Sequence, residues 1–195
     1  GAGEGTYALK IRETGYSKRI ISFEPLSQSF SVLQQRSESD PLWKCEKLAI
    51  GDSDSTIDIN ISGHKTSSSI LPMTEAHIQA MVTSDSIGKE KVRIARLDSL
   101  SDKVFSSSER ICLKIDVQGY EKHVLQCAAE TLKRTYMIEL ELSLTQMYEG
   151  GTLIDEMLDY LSGMSFKLAS IEPVFLEAKT GIVLQADGIF VKRCC

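Results

Sequence analysis

Three glycines at alternate positions, in Gly1-Ala2-Gly3-Glu4-Gly5, open directly into an amphipathic segment, Thr6 to Arg12. A turn at Gly15-Tyr16 follows, and the β-branched run Arg19-Ile20-Ile21-Ser22-Phe23 then stops on Glu24-Pro25. Loop, helix, turn, strand and carboxylate in that order describe an α/β unit. In such a unit glycines let the backbone approach a bulky cofactor, with the helix N-terminus behind them. Glu24 lies nineteen positions after Gly5, near the spacing at which Rossmann-like folds place an acid on a ribose hydroxyl pair. The nicotinamide fingerprint G-x-G-x-x-G wants its third glycine at position 6, which is Thr6. The G-x-G-x-G pattern instead suits S-adenosylmethionine; a merely flexible loop is the bland alternative. In doubly wound sheets a central strand leads into such a loop. The expectation is therefore a domain entered after its first strand, with an expression scar at Gly1-Ala2 as the other reading.

A length of 195 residues suits one domain, 1–195, burying about 70% of the surface its unfolded chain exposes. Apolar content of 42% and charged content of 25% are those of an ordinary globule. The net charge is −5, and no basic run exceeds Lys18-Arg19 or Lys192-Arg193, which argues against a nucleic-acid partner. No apolar stretch reaches membrane-spanning length and no signal peptide is visible, so the expectation is a cytoplasmic chain without a membrane partner. The five cysteines form no C-x-x-C pair, and an odd number argues against a disulfide framework. Cys112 and Cys127 read as buried thiols, and Cys194-Cys195 as a disordered tail or a reactive pair. His64, His77 and His123 share no ligand spacing, so no metal is expected.

Along the chain, Leu26, Phe30 and Leu33 mark a helix from Ser27 to Arg36. Cys45 to Ile50 reads as the next parallel strand, closed by Gly51-Asp52, and Thr56 to Ile61 alternates as a strand paired in a hairpin with what precedes it. Ser62 to Ser69 has almost no apolar content: either a solvated connection or a polar flap bringing hydroxyls and His64 over a site. Residues 70–87 carry no clear pattern, and Lys91 to Leu97 alternates again. Ile111 to Asp116 is a nearly continuous apolar strand, followed by a turn and a helix to about Lys133 with Val124, Leu125, Ala128 and Leu132 inward. Met137 to Leu144 is a strand with Glu139 and Glu141 on one face. A helix from Leu153 to Ser162, with Met157, Leu158 and Leu161 inward, precedes an antiparallel pair, Phe166 to Ile171 and Gly181 to Val191.

With these residues in view, the chain resembles the FkbM type of S-adenosylmethionine-dependent methyltransferase over nearly its whole length. The resemblance rests on the glycine loop, Ser22-Phe23-Glu24-Pro25, Ala49-Ile50-Gly51-Asp52, Ser67-Ser68-Ser69-Ile70-Leu71-Pro72 and Arg96-Leu97-Asp98. It continues through Leu113-Lys114-Ile115-Asp116-Val117-Gln118-Gly119-Tyr120-Glu121, its most specific run. Glu141-Leu142-Ser143-Leu144, Tyr148-Glu149-Gly150, Thr180-Gly181 and the run Gln185 to Val191 complete it. Gly3 stands where the family more often has asparagine. The resemblance implies a class I methyltransferase fold: α/β, Rossmann-like, a doubly wound, mostly parallel seven-stranded sheet with its last strand antiparallel. It implies O-methylation of a hydroxyl on a sugar or secondary metabolite.

Methyl transfer is an in-line displacement that mainly needs positioning and a place for the acceptor's proton. Gly1, Gly3, Glu4 and Gly5 are assigned to the methionine end of S-adenosylmethionine, Glu24 to the ribose hydroxyls and Asp52 to the neighbourhood of the adenine. Asp116, at the carboxyl edge of its strand, is a candidate to hold the cofactor, orient the acceptor or act as base. Glu141 and His64 are the other catalytic candidates, a structural ion pair being the alternative for the Glu139/Glu141 face. Glu121 reads as a first-turn acid meeting the helix macrodipole. The expected partner is a small-molecule or glycan hydroxyl acceptor, and a homo-oligomer is left open. Other readings are a nicotinamide-dependent oxidoreductase and a non-catalytic nucleoside-binding module.

Overall fold

A computed structural model describes residues 1–64, 66–105 and 109–193. Cys194 and Cys195, for which a tail or a reactive pair was expected, lie outside the described residues.

Helix α1 (Thr6–Glu13) starts at Gly5, whose φ of +85° turns the loop into the helix, and it carries Lys10 and Arg12 in its last turn, where cations meet the dipole favourably. Arg12 also grips Asp40 at 2.7 Å, with both side chains partly exposed. Strand β1 (Ile20–Phe23) leads to α2 (Ser27–Ser37) and β2 (Trp43–Glu46), and β1 and β2 form a parallel pair. Ala8, Leu33 and Trp43 make the core between these elements, and the Trp43 indole N–H donates to the Ser22 hydroxyl at 2.9 Å.

The expected single strand over Cys45 to Ile50 is two. After Glu46 the chain leaves β1, and β3 (Ala49–Ile50) pairs in parallel with β5 (Ser86–Ala95) in a separate sheet. Strand β4 (Ser55–Ser62) pairs antiparallel with that same β5, not with what precedes it, giving the order β3-β5-β4. Between them lie the short helix α3 (Glu75–Ala80), capped by the Thr74 hydroxyl, and a 3₁₀ turn at Val82–Ser84.

Helix α4 (Leu97–Val104) precedes β6 (Ile111–Ile115). The expected helix to Lys133 is broken into α5 (Glu121–Gln126) and α6 (Ala129–Arg134). Asp98 supplies the reason: its carboxylate accepts the Glu130 and Thr131 amides at 2.9 and 2.8 Å, capping α6 as a helix of its own. Strand β7 (Thr135–Ser143), helix α7 (Ile154–Gly163) and strands β8 (Phe166–Leu176) and β9 (Val183–Lys192) complete the chain. The four-stranded sheet runs β6-β7-β9-β8, with β6 parallel to β7 and both β9 pairings antiparallel, as expected of the last strand.

Ile138, Leu140 and Leu142 of β7 are fully buried against Leu125 and Leu132 from α5 and α6 and Met157 and Leu161 from α7. Truncating any of these leucines to alanine would cost about 2–5 kcal/mol. Cys112 is exposed, not buried, on β6 at the edge of its sheet.

Among the described residues the strands thus form sheets of two, three and four strands, not one of seven. The carboxyl ends of β1 and β6 nevertheless meet. The Ala2 amide donates to the Phe23 carbonyl at 3.0 Å, and the Gly1 Cα packs on the Asp116 carbonyl oxygen so closely that a Cβ would sit 2.8 Å from it.

Candidate functional site

Glu24 ends β1 with its side chain turned inward, 5% exposed. Its two carboxylate oxygens accept the Gly3 amide at 2.8 Å and the Leu26 amide at 3.0 Å. Burial pushes the carboxyl above its ordinary range, and the two amides pull the other way. Beside it lies a cleft of about 80 Å³ lined by Gly1, Glu24, Leu26, Ile50, Ser69 and Asp116, among others. The structure therefore brings together Gly1, Glu24 and Asp116.

A second cavity of about 220 Å³ is lined by His64, Ser67, His77, Gln118, Glu141 and Gln185, with Phe175 and Val174 as an apolar wall. Glu141 and His64 share this space, apart from Asp116. The His64 Nδ1 lies 3.1 Å from the Thr66 hydroxyl and 3.3 Å from that of Ser67. One Glu141 oxygen accepts the side-chain amides of Gln185 at 2.6 Å and Gln118 at 3.2 Å. Burial, and then the charges of Asp116 and Glu121, hold the Glu141 carboxyl well above the usual carboxylate range.

Two short segments separate the spaces, and each lines both. Thr66 and Ser67 face the larger cavity while Ser68 and Ser69 face the smaller; Gln118 faces the larger while Asp116 and Val117 face the smaller. The polar stretch after β4 thus lines both cavities, tied down by contacts on its serines. The Ser69 hydroxyl donates to the Gln118 carbonyl at 2.6 Å, and the Ser67 carbonyl accepts the Tyr148 hydroxyl at 3.0 Å. Lys65, within that stretch, lies outside the described residues.

Of the Glu139/Glu141 face, Glu139 takes the structural reading and Glu141 lines the larger cavity. Glu139 is structural: it accepts the Tyr7 hydroxyl at 2.5 Å and lies 3.9 Å from Lys114. Lys114 also reaches Asp187 at 3.2 Å and Asp116 at 4.0 Å. Burial works to lower its pKa, and these carboxylates outweigh it, leaving the ammonium above its ordinary value.

Four expected placements differ. Gly3 and Gly5 line neither cavity, and Gly5 lies against Leu33 and Trp43. Asp52 accepts the Tyr120 hydroxyl at 2.8 Å and lines neither cavity, although Ile50, two residues earlier, lines the smaller one. Glu4 also lines neither; its carboxylate lies 3.7 Å from Arg36. Glu121 is the first-turn acid of α5, as expected, but it is buried. It is 5% exposed, and one of its oxygens accepts the Val117 and Gly119 amides at 3.0 and 3.2 Å, holding the turn between β6 and α5. Burial pushes its carboxyl up to about 7.

Residue-by-residue reading passed over Gln118, Tyr148, Gln185 and His77. The first three lie in runs that carried the family resemblance, but as polar side chains beside glycines or acids they gave no signal of their own. Gln118 holds a left-handed backbone, φ 55°, which costs a non-glycine residue about 1–2 kcal/mol. His77 is 2% exposed and stands edge-on to Tyr148 with ring centroids 5.0 Å apart; burial lowers its pKa, so it is neutral at pH 7. No helix among the described residues is long and apolar enough to cross a membrane.

The model of the methyltransferase FkbM domain matches residues 1–168. No curated protein and no solved structure matches the chain significantly. A domain match over residues 1–168 of the 195 shows that the chain belongs to the FkbM methyltransferase family.

Proposed function

We propose that the chain is an S-adenosylmethionine-dependent O-methyltransferase in which the smaller cleft takes the nucleoside and the larger cavity takes a hydroxyl-bearing acceptor. The observation that carries this reading is the adjacency of the two spaces across the shared walls 66–69 and 116–118. The meeting of β1 and β6 at Gly1-Ala2 supports a doubly wound arrangement, with the site at the carboxyl ends of its strands.

The chemistry of the smaller cleft fits the nucleoside. Glu24 offers a buried acceptor to a ribose diol, Leu26, Ile50 and Ile70 offer apolar walls to a purine, and Gly1 leaves room only for backbone. At about 80 Å³ the cleft is well below the roughly 300 Å³ at which cofactor pockets begin, so loading requires its walls to part. When bound, S-adenosylmethionine supplies an electrophilic methyl group on a sulfonium.

The chain's own residues then position and deprotonate the acceptor. Glu141 faces the larger cavity with a proton affinity raised by burial and by Asp116, which makes it a better base toward a hydroxyl than an ordinary carboxylate. His64 and Gln185 line the same space and orient neighbouring hydroxyls. Asp116 lies on the nucleoside side and is assigned to cofactor positioning. Amides, hydroxyls and one aromatic wall suit a polyhydroxylated acceptor, a sugar or similar metabolite, in a cytoplasmic setting.

Isothermal titration with S-adenosylmethionine and with NADH tests the cofactor, and radiolabelled methyl transfer to a panel of sugars and alcohols tests the reaction. Micromolar binding of S-adenosylmethionine alone is expected; NADH binding would favour the oxidoreductase. Binding without transfer to any hydroxyl would favour a cofactor-binding module.

A further inference from the structure

Gln118 occupies a position that neither the family reading nor the two-cavity reading assigns. It follows Asp116 and Val117 after the end of β6, in the left-handed region with φ 55°. From there its side chain reaches two carboxylates that face different cavities. The Nε2 donates to Asp116 Oδ1 at 2.7 Å and to Glu141 Oε2 at 3.2 Å. The Oε1 accepts the Tyr148 hydroxyl at 2.6 Å. The orientation of the amide follows from its partners: a flipped group would turn a carbonyl oxygen toward both carboxylates. Both amide hydrogens and the oxygen are therefore used.

We propose that Gln118 is a positioning residue that ties the nucleoside-side carboxylate Asp116 to the acceptor-side carboxylate Glu141 and favours the charged form of the acceptor-side group. Two carboxylates this close repel, and each raises the other's proton affinity. A neutral amide donating to both stabilises the charged forms and cannot itself titrate away. Tyr148 keeps the amide in place: its hydroxyl is pinned between Gln118 and the Ser67 carbonyl, and its ring packs on Gly119, where a Cβ would fall 2.9 Å from the Tyr148 Cβ. The other charged groups acting on the Glu141 carboxylate are Glu121 from the head of α5, Lys114 from β6 and Asp187 from β9. Of these, Lys114 opposes the repulsion and the two acids add to it. The assignment deepens the two-cavity reading and rests on it for the meaning of the coupling, but the coupling itself is measurable without any substrate.

The test is ¹³C NMR of the glutamate and aspartate carboxyls across pH in the wild-type chain and in Gln118→Met, Gln118→Glu and Asp116→Asn, with melting curves to establish folding. Removing the amide in Gln118→Met should raise the Glu141 midpoint by about one pH unit, a tenfold gain in proton affinity. Asp116→Asn should lower it. Gln118→Glu keeps the length but needs a proton to make the same contacts. Its new carboxyl should therefore titrate above the ordinary glutamate value of about 4.3, together with Glu141. A Glu141 midpoint within a few tenths of wild type in folded Gln118→Met overturns the proposal. Should that variant fail to fold, an ordinary, independent titration of the new carboxyl in Gln118→Glu overturns it instead. Titration of the wild-type chain with S-adenosylhomocysteine runs alongside. Absence of binding there would refute the methyltransferase reading while leaving the carboxylate coupling decided by the NMR arms.

Discussion

Glu24 closes the glycine loop from the far side: its Oε2 accepts the Gly3 amide at 2.8 Å across twenty-one positions of sequence. The same carboxylate holds Leu26 with its other oxygen, so the acid at the end of β1 fixes the shape of the loop as well as facing the cleft. Both functions sit on one buried group, and they separate experimentally.

Glu24→Ala should weaken S-adenosylmethionine binding by roughly ten-fold to a hundred-fold, the loss of charge-assisted hydrogen bonds partly refilled by water. It should also lower stability by about 1–3 kcal/mol, because the Gly3 and Leu26 amides lose their acceptor. Glu24→Gln keeps one acceptor oxygen and should recover part of each. Calorimetric titration with denaturation curves reads both. A drop in stability with unchanged cofactor affinity would reduce Glu24 to a loop tie.

Glu121 makes a pH prediction. Its folded carboxyl is raised to about 7 by burial, so between its unfolded value and that pH the folded state binds more protons than the unfolded one. Its contribution to stability is therefore complete below pH ~4.5 and is lost as pH rises through about 7, an effect on the order of 3 kcal/mol. Glu121→Gln can still accept the Val117 and Gly119 amides without a charge to bury. The variant should match wild type near pH 4.5 and exceed it in stability at pH 8. Parallel urea curves from pH 4.5 to 8 check this; a constant difference across the range would defeat it.

Gly5 is required by space as well as by conformation. A Cβ there would fall 2.8 Å from a Leu33 methyl and 2.9 Å from the Trp43 ring, whereas one on Gly3 meets nothing within 4 Å. Overpacking costs roughly 1–3 kcal/mol, on top of the left-handed backbone cost of about 1–2 kcal/mol that both positions share. Gly5→Ala should therefore lose more stability than Gly3→Ala by the overpacking amount. Equal urea midpoints for the two variants would show that the Leu33-Trp43 core yields freely.

The sequence made some of this site legible and concealed the rest, for identifiable reasons. Glu24, Asp116 and Glu141 were readable because an acid at the end of an apolar strand, or on one face of it, is a local pattern. The elements of α1, α2, β7 and α7 were readable for the same reason. The break at Lys47-Leu48 was not, because whether a strand continues depends on its neighbours, and β2 and β3 choose β1 and β5. The split between α5 and α6 depends on Asp98, some thirty positions away. Glu121 was readable as a first-turn acid, but a helix-start rule sees the dipole and not the burial. Gln118 was concealed most fully: its meaning lies in a contact with Glu141 and a left-handed turn, and neither has a signature in residue type.

Asp116→Asn separates the roles that its position allows. The side chain lines the smaller cleft, and its Oδ1 accepts the Gln118 amide at 2.7 Å. Asparagine keeps the shape and one acceptor oxygen, so the Gln118 contact survives, but the charge and any basicity are gone. Cofactor positioning by the carboxylate predicts that S-adenosylmethionine affinity and single-turnover rate fall together. A general base would instead lose on the order of a hundred-fold or more in rate with binding nearly intact. A turn-organising role would leave both and lower only the melting temperature. The expected result is the joint fall, because Glu141, not Asp116, faces the larger cavity and has a proton affinity raised by burial. A rate loss without an affinity loss would move the base from Glu141 to Asp116.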